Sequence, residues 1–254
     1  MSRLNKPPGA PLLCYITDRR NLASAETSAA PQPFDTRKIL LEKIAAAATA
    51  GVDWIQIREK DLSGKECSSL TREAARLPRR SGAGAAAKTP ASLKSEGAHE
   101  LASTRILVND RLDVALAAQA GGVHLGEKSL PVEEARRLVK SLRREKDFLI
   151  GVSCHSLGVA KAAERDGADY LFFGPVFATP SKAAYGAPQG LKRLGEVCST
   201  VALPVLAIGG VTLENAADCL LAGASGIAAI RLFQDATDIA SVVRAFENFL
   251  HKPN

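Results

Sequence analysis

Short apolar runs alternate eight times with longer amphipathic runs along this 254-residue chain. The predicted strands are Leu12–Thr17, Val52–Arg58, Ile106–Val108, Gly122–Leu125, Phe148–Ser153, Tyr170–Gly174, Val205–Ile208 and Gly226–Ile230. The predicted helices are Thr36–Ala50, Ser63–Leu77, Arg111–Ala120, Pro131–Arg144, Ser156–Asp166, Gln189–Ser199, Thr212–Ala222 and Asp235–Leu250. Strands that alternate with helices of this length form parallel sheets. Eight such units predict a single closed (β/α)8 TIM barrel, and an open doubly wound sheet is the alternative.

Two segments interrupt this alternation. Residues 1–10 are predicted to be a flexible tail, which leaves residues 11–254 as one barrel domain. Residues 78–104 are rich in Gly, Ala, Ser and Pro without apolar periodicity, which predicts a low-complexity insertion. The insertion connects a helix to the next strand, and such connections lie on the amino-terminal face of a barrel. We therefore expect it to lie away from the catalytic face.

Glycines stand at several of the predicted helix-to-strand connections. Four of them are Gly51, Gly121, Gly167 and Gly223. A glycine just after a helix permits the left-handed conformation that ends it. We therefore predict that these four glycines are helix caps and do not contact a ligand.

The composition restricts the classes of function. Lys and Arg number 33 against 27 Asp and Glu, a net charge of +6, but no basic patch is interleaved with aromatic residues. We therefore expect an anionic small-molecule substrate and no nucleic acid. The five cysteines contain no C-x-x-C pair, which predicts reduced thiols in a cytoplasmic protein. Neither a signal peptide nor a membrane span is predicted, because no apolar run is long enough.

Polar residues at the carboxyl ends of barrel strands are the candidate site residues. Gln56, Arg58 and Lys60 alternate at the end of the second strand, so one face presents an amide and two cations. This trio suits a diphosphate, with a solvated charged turn as the alternative. Asp110 is a hard oxygen ligand of the kind that holds Mg²⁺ against phosphates, although Asn109 and Asp110 also fit a helix N-cap.

A second anionic site is predicted where the seventh and eighth strands end. Gly209 and Gly210 lead into a helix with Thr212 near its start, where backbone N–H groups can bind a phosphate. The loop 179–190 contains Thr, Ser, Lys and two Gly, which suits a mobile lid. The sequence therefore predicts a barrel enzyme with one site for a diphosphate and a metal and another for a phosphate.

Two histidines and a cysteine are further candidate residues. His124 lies within Gly-Val-His-Leu-Gly and is interpreted as a histidine that satisfies a buried hydrogen bond. Cys154 and His155 are adjacent on an extended segment, so their side chains diverge. A Cys–His nucleophile pair is therefore not expected.

With these residues aligned, the chain resembles the thiamine-phosphate synthase family over about residues 12–250, apart from the insertion. The matching phrases are Tyr-Ile-Thr-Asp (15–18), Gln-Ile-Arg-Glu-Lys (56–60), Val-Asn-Asp-Arg (108–111), Gly-Val-His-Leu-Gly (122–126), Gly-Val-Ser-Cys-His-Ser (151–156), Gly-Ala-Asp-Tyr to Pro-Ser-Lys (167–182) and Ala-Ile-Gly-Gly-Val-Thr-Leu-Glu-Asn (207–215). The resemblance implies that hydroxymethylpyrimidine diphosphate and hydroxyethylthiazole phosphate are joined to give thiamine phosphate and pyrophosphate. It also implies Mg²⁺ as cofactor, and a homo-oligomer is possible.

The resemblance implies a role for each matching residue. The catalytic set is Arg58, Lys60, Ser153 and Lys182. The substrate-binding set is Gln56, Ile57, Arg58, Glu59, Lys60, Asn109, Ser153, Thr179, Pro180, Ser181, Lys182, Gly210, Ile230 and Arg231. Asp110 would bind Mg²⁺. The family's second carboxylate is replaced here by Ser129, so Ser129 or Glu127 is the other candidate ligand.

That replacement keeps two alternatives open. A related thiazole tautomerase uses the same barrel without a metal and with histidine as acid and base, and His155 lies in a matching context. A barrel that binds thiamine precursors without turnover is the non-enzymatic alternative. The Arg58, Lys60, Asn109 and Asp110 set favours the synthase, since a tautomerase handles no diphosphate.

Overall fold

The chain folds into a closed ring of eight parallel strands, in a computed structural model that describes residues 10–22, 33–77, 104–179 and 187–249. The strands are β1 (Leu12–Ile16), β2 (Trp54–Ile57), β3 (Arg105–Asn109), β4 (Gly122–Leu125), β5 (Leu149–Cys154), β6 (Tyr170–Phe173), β7 (Val205–Ile208) and β8 (Gly226–Ala229). Each strand pairs with the next, and β8 pairs with β1. The TIM barrel predicted from the sequence is confirmed, and the doubly wound sheet is wrong.

Helices connect the strands around the ring. They are α1 (Pro33–Ala50), α2 (Gly64–Arg76), α3 (Leu112–Ala117), α4 (Val132–Ser141), α5 (Leu157–Arg165), α6 (Gly190–Thr200), α7 (Leu213–Leu221), α8 (Arg231–Gln234) and α9 (Ile239–Phe249). The short α8, which follows β8 directly, was not predicted. Within the described ranges, no helix has the length and apolar character needed to cross a bilayer. All but the last residue of the predicted tail, and all but the last residue of the insertion, lie outside the described residues.

Successive strand residues alternate between two buried layers, because side chains of a strand point to opposite faces. One layer fills the inside of the ring and includes Cys14, Trp54, Tyr170 and Phe172. The other lies between the strands and the helices and includes Tyr15, which contacts Phe233 of α8 at a ring distance of 5.8 Å. The inner layer therefore forms the floor beneath any site at the carboxyl ends of the strands.

The predicted glycine caps are correct at three of four positions. Gly51, Gly167 and Gly223 have φ of 96°, 93° and 99°, the left-handed conformation expected after a helix. Gly121 does not, because Gln119 takes that conformation with φ of 55° and ends α3 earlier than predicted. A Cβ atom on Gly121 would lie 2.3 Å from Cγ of Arg105, so close packing requires this glycine.

The seam between the first and last strands is tight. Leu12 lies opposite Gly226 in the β1–β8 pair. A Cβ atom on Gly226 would lie 2.1 Å from the Leu12 carbonyl oxygen, well inside contact distance. The absence of a side chain at this position therefore lets the ring close.

Candidate active site

Inward-pointing polar side chains form a cluster at the carboxyl ends of β2 to β5. Gln56 Nε2 donates to Asn109 Oδ1 at 2.8 Å, and Asn109 Nδ2 donates to Asp110 Oδ2 at 2.8 Å. Gln56 is 1% exposed, and its Oε1 atom has no hydrogen-bond partner among the described residues. Since buried acceptors are nearly always satisfied, this oxygen is suited to accept from a ligand N–H group.

Asp110 lies at the rim of this cluster with its carboxylate held by three donors. Its Oδ1 atom accepts from the Gly126 N–H at 3.2 Å and from the Ser129 hydroxyl, and Oδ2 accepts from Asn109. Asp110 has φ of 60°, a left-handed conformation that Asp and Asn tolerate better than most residues. Of the two candidate second ligands, the structure places Ser129 against Asp110, whereas Glu127 is exposed.

The cationic residues after β2 are positioned by a buried carboxylate. Glu59 is 6% exposed, and its Oε1 atom accepts from the Thr17 hydroxyl at 2.6 Å. The Arg58 N–H donates to that same hydroxyl oxygen at 3.0 Å. The Arg19 N–H also donates to Glu59, at 3.1 Å. The Glu59 side chain is therefore engaged within the protein and fixes the backbone from which the Arg58 side chain extends.

The two cations and the residue that precedes them differ in exposure. Arg58 is half-buried and Lys60 is exposed. In the part of the chain that is described, neither side chain has a carboxylate within ion-pair distance. Ile57, by contrast, is buried in the layer beneath the helices. Arg58 and Lys60 are thus available to an anion, while Ile57 could contact a ligand only through its backbone.

Ser153 at the end of β5 is linked to two buried aromatic residues that were not predicted as site residues. Ser153 Oγ lies 2.9 Å from His124 Nε2, and His124 Nδ1 lies 3.2 Å from the Tyr170 hydroxyl. Tyr170 stands in the phrase Gly-Ala-Asp-Tyr, and its position in β6 directs it into the ring. The strand alternation could have identified it, whereas the cross-strand contact could not be read from spacing.

The neighbouring Cys154 and His155 have other environments. Burial, and to a lesser degree the Glu127 carboxylate, raises the pKa of Cys154 to about 12, so its thiol is a poor nucleophile. His155 Nδ1 contacts the carbonyl oxygen of Gly174 in the loop after β6. The geometry agrees with the expectation that these residues form no nucleophile pair.

A cavity of about 510 Å³ opens at the ends of β7 and β8. Its lining includes Thr179, Gly210, Thr212, Ile230 and Arg231. Gly210 has φ of 67°, and a Cβ atom there would lie 2.6 Å from the Ala178 carbonyl oxygen, so this lining position has no room for a side chain. The Arg231 guanidinium donates to the Thr179 hydroxyl at 3.5 Å. Pro180, Ser181 and Lys182 lie outside the described residues.

The two regions belong to one mouth, because every strand of a closed parallel barrel ends at the same face. The usual phosphate site of such barrels lies at the ends of β7 and β8, and the cavity there is lined by a glycine and an arginine. The fold and the site therefore define a TIM barrel suited to phosphorylated ligands.

Comparison with known proteins gives the family. The sequence model described as thiamine monophosphate synthase matches residues 29–233, and the chain belongs to this family. A thiamine-phosphate synthase from Chloroflexus aurantiacus is 39% identical over 201 residues, which cover 79% of this chain and 81% of the relative. Another from Roseiflexus castenholzii is 36% identical over 239 residues, 94% of this chain and 88% of the relative. The solved thiamine phosphate pyrophosphorylase from Pyrococcus furiosus is 28% identical, with a TM-score of 0.67 over 98% of this chain and 96% of that one.

Proposed function

We propose that this chain is a thiamine-phosphate synthase. It would join hydroxymethylpyrimidine diphosphate to hydroxyethylthiazole phosphate and release pyrophosphate. Family membership supports this reaction, and the observation that carries it is the pair of anion-suited regions opening at one mouth. The substrates are small phosphorylated molecules, and the five free cysteines agree with a reducing cytoplasm. A homo-oligomer stays a prediction.

The residues divide between the two substrates. Gln56 and Asn109 would hold the pyrimidine, because the buried Gln56 Oε1 suits a ring or amine N–H donor. Arg58, Lys60 and Lys182 would hold the diphosphate, with Ser153 donating to one of its oxygens. Gly210 and Ile230 would bind the thiazole phosphate through backbone groups, assisted by Thr179, Pro180, Ser181 and Arg231. Ile57 and Glu59 would act through backbone and positioning only.

In the proposed reaction, the bond from the pyrimidine methylene carbon to the diphosphate oxygen breaks, and both electrons leave with pyrophosphate. The thiazole nitrogen then supplies the electron pair of the new carbon–nitrogen bond. Cationic side chains aimed at the departing oxygens lower the barrier, because negative charge grows there in the transition state. Arg58 and Lys60, neither engaged by a carboxylate within the described ranges, are suited to this task.

A magnesium ion fits the residues at Asp110 as a site with one carboxylate. The carboxylate and the Ser129 hydroxyl are hard oxygen donors that lie together. The described residues contain no group of three or more His, Cys, Asp or Glu placed to hold a metal. Mg²⁺ commonly uses one or two carboxylates with substrate phosphates and water, and when bound it neutralises diphosphate charge. Asp110 would hold the ion, with Ser129 beside it.

The proposed function is tested by a product assay with both phosphorylated precursors, with and without Mg²⁺, read by mass spectrometry. We expect thiamine phosphate and pyrophosphate in equal amounts, with a rate that rises with Mg²⁺. Metal-independent isomerisation of a thiazole carboxylate phosphate, without condensation, would instead identify a tautomerase. Binding of either precursor without turnover would identify a binding module.

Arg231 gives a prediction about the second substrate. We expect Arg231→Ser to raise KM for hydroxyethylthiazole phosphate about tenfold, because a hydrogen bond from a charged donor contributes about 1.5 kcal/mol or more. The KM for the pyrimidine diphosphate should not change, since Arg231 lines the cavity at the ends of β7 and β8. Arg244→Ser on α9, where Arg244 pairs with Asp238 at 3.1 Å, is the matched control and should leave both values unchanged. Equal increases in both KM values would contradict the assignment.

A further inference from the structure

Three polar groups form a line from the barrel interior to the mouth. The Tyr170 hydroxyl lies 3.2 Å from His124 Nδ1, and His124 Nε2 lies 2.9 Å from Ser153 Oγ. Tyr170 is 0% and His124 is 2% exposed, whereas Ser153 is partly exposed. The line therefore runs from a fully buried hydroxyl to one that a ligand can reach.

Packing fixes both rings in this line. His124 stacks on Phe172, with ring centroids 4.0 Å apart and planes 28° apart. Tyr170 packs on Trp54 at a centroid distance of 4.6 Å. A Cβ atom on Gly151 would lie 2.0 Å from Tyr170 Cζ, so the phenol occupies the space that this glycine leaves. Neither ring can turn without disturbing the inner layer.

The direction of the hydrogen bonds follows from the Tyr170 hydroxyl. Burial raises the pKa of Tyr170 well above its ordinary value, so the hydroxyl keeps its hydrogen. Among the described residues, the acceptor within hydrogen-bond distance of that hydroxyl is His124 Nδ1. If Nδ1 itself carried a hydrogen, the phenolic hydrogen would have no acceptor among the described residues, which is costly for a buried donor.

The acceptor role of Nδ1 in turn determines how the imidazole contacts Ser153. With Nδ1 as acceptor, the neutral ring carries its hydrogen on Nε2. Nε2 then donates to Ser153 Oγ, which occupies one lone pair of that oxygen. The hydroxyl hydrogen of Ser153 is consequently turned away from His124 and toward the mouth.

We propose that His124 and Tyr170 are positioning residues that orient the Ser153 hydroxyl as a hydrogen-bond donor to an oxygen of the departing diphosphate. The proposal rests on the proposed function for the identity of that oxygen. A donor whose direction is set before the substrate arrives needs no reorientation as charge develops on the leaving group. Tyr170 and His124 act through Ser153 and do not touch the substrate.

The first test is independent of activity and uses nitrogen NMR of the full chain labelled with ¹⁵N-histidine. The His124 signals are assigned by their loss in His124→Gln, among four histidines in total. We expect Nε2 to be protonated and Nδ1 to be unprotonated in the wild type. Tyr170→Phe should weaken this preference, because Nδ1 loses its donor. A wild-type His124 protonated on Nδ1 would overturn the proposal.

The second test is a double-mutant cycle on thiamine phosphate formation. We expect Tyr170→Phe to lower kcat about tenfold with little change in KM, and to have no further effect in a Ser153→Ala background. Tyr15→Phe is the matched control, since Tyr15 is equally buried but lies in the outer layer, where its hydroxyl contacts Gln234. It should leave kcat unchanged in both backgrounds.

The outcomes separate the two proposals. A tenfold loss from Tyr170→Phe that persists in Ser153→Ala would reveal a general structural effect and overturn the positioning role. A wild type that forms no thiamine phosphate would overturn the proposed function, while the His124 tautomer would still decide the direction of the hydrogen bonds. Circular dichroism of each variant confirms that it is folded before its kinetics are compared.

Discussion

Asp110→Asn is expected to lower kcat/KM for thiamine phosphate formation about 1,000-fold, at the upper end of losses from removing one electrostatic contact. Asparagine keeps the shape of the side chain and tolerates the φ of 60° at this position, so the change removes charge with little backbone strain. The bonds from Gly126 and Ser129 to the side-chain oxygen can persist. The measurement is steady-state kinetics over a range of Mg²⁺ concentrations.

Two further variants test whether the loss of activity is specific to the Asp110 carboxylate. Asp113→Asn is the matched control, because Asp113 is exposed and pairs with Arg111 at 2.6 Å. Its activity should stay within about twofold, as is usual for exposed ion pairs. Ser129→Asp should lower the Mg²⁺ concentration that gives the half-maximal rate, since it adds a second carboxylate beside Asp110. If Asp110→Asn retains full activity, the metal assignment is wrong.

Gly226→Ala is expected to destabilise the fold by about 3 kcal/mol, the upper end of ordinary overpacking costs. The added methyl group would lie 2.1 Å from the Leu12 carbonyl oxygen, so the β1–β8 pair must separate to accommodate it. Urea denaturation followed by circular dichroism measures the free energy of unfolding. The midpoint should fall while the substrate KM values of the folded fraction change little.

Gly158→Ala is the control for the stability loss expected of Gly226→Ala. Gly158 lies in the first turn of α5, and a Cβ atom there would approach the Ser156 hydroxyl no closer than 4.0 Å. Alanine should therefore leave stability unchanged or raise it by up to about 1 kcal/mol, since it favours the helix. If both variants lose similar amounts of stability, the close contact between β1 and β8 at Gly226 does not explain the effect of Gly226→Ala.

The sequence predicted the architecture because barrel units repeat a strong local pattern. Gly122–Leu125 and Val205–Ile208 were predicted with the bounds that the structure has. The predicted element ends were wrong where the conformation of one residue departs from what the surrounding sequence pattern favours. Gln119 adopts the left-handed conformation that was predicted for Gly121, and Arg231 begins a one-turn helix with no apolar periodicity of its own.

The candidate site was predictable in position but not in its internal contacts. Strand ends place Gln56, Asn109 and Ser153 at the mouth, as the alternation of side chains requires. His124 was interpreted as satisfying a buried hydrogen bond, and the structure shows two such bonds that join it to Ser153 and Tyr170. Partners on neighbouring strands depend on register and ring orientation, which a single sequence does not encode locally.

The pairing of β1 with β8 has a consequence for the nascent chain on the ribosome. Leu12–Ile16 emerges early, yet the partner Gly226–Ala229 follows more than 200 residues later. At a synthesis rate of roughly 5–20 residues per second, the edge of β1 that pairs with β8 stays unpaired for about 10–40 s. An unpaired parallel edge is a template for pairing with other chains, so we expect stalled or truncated chains that lack β8 to aggregate. Slowing translation upstream of β8 should therefore lower the yield of folded protein more than slowing it afterwards.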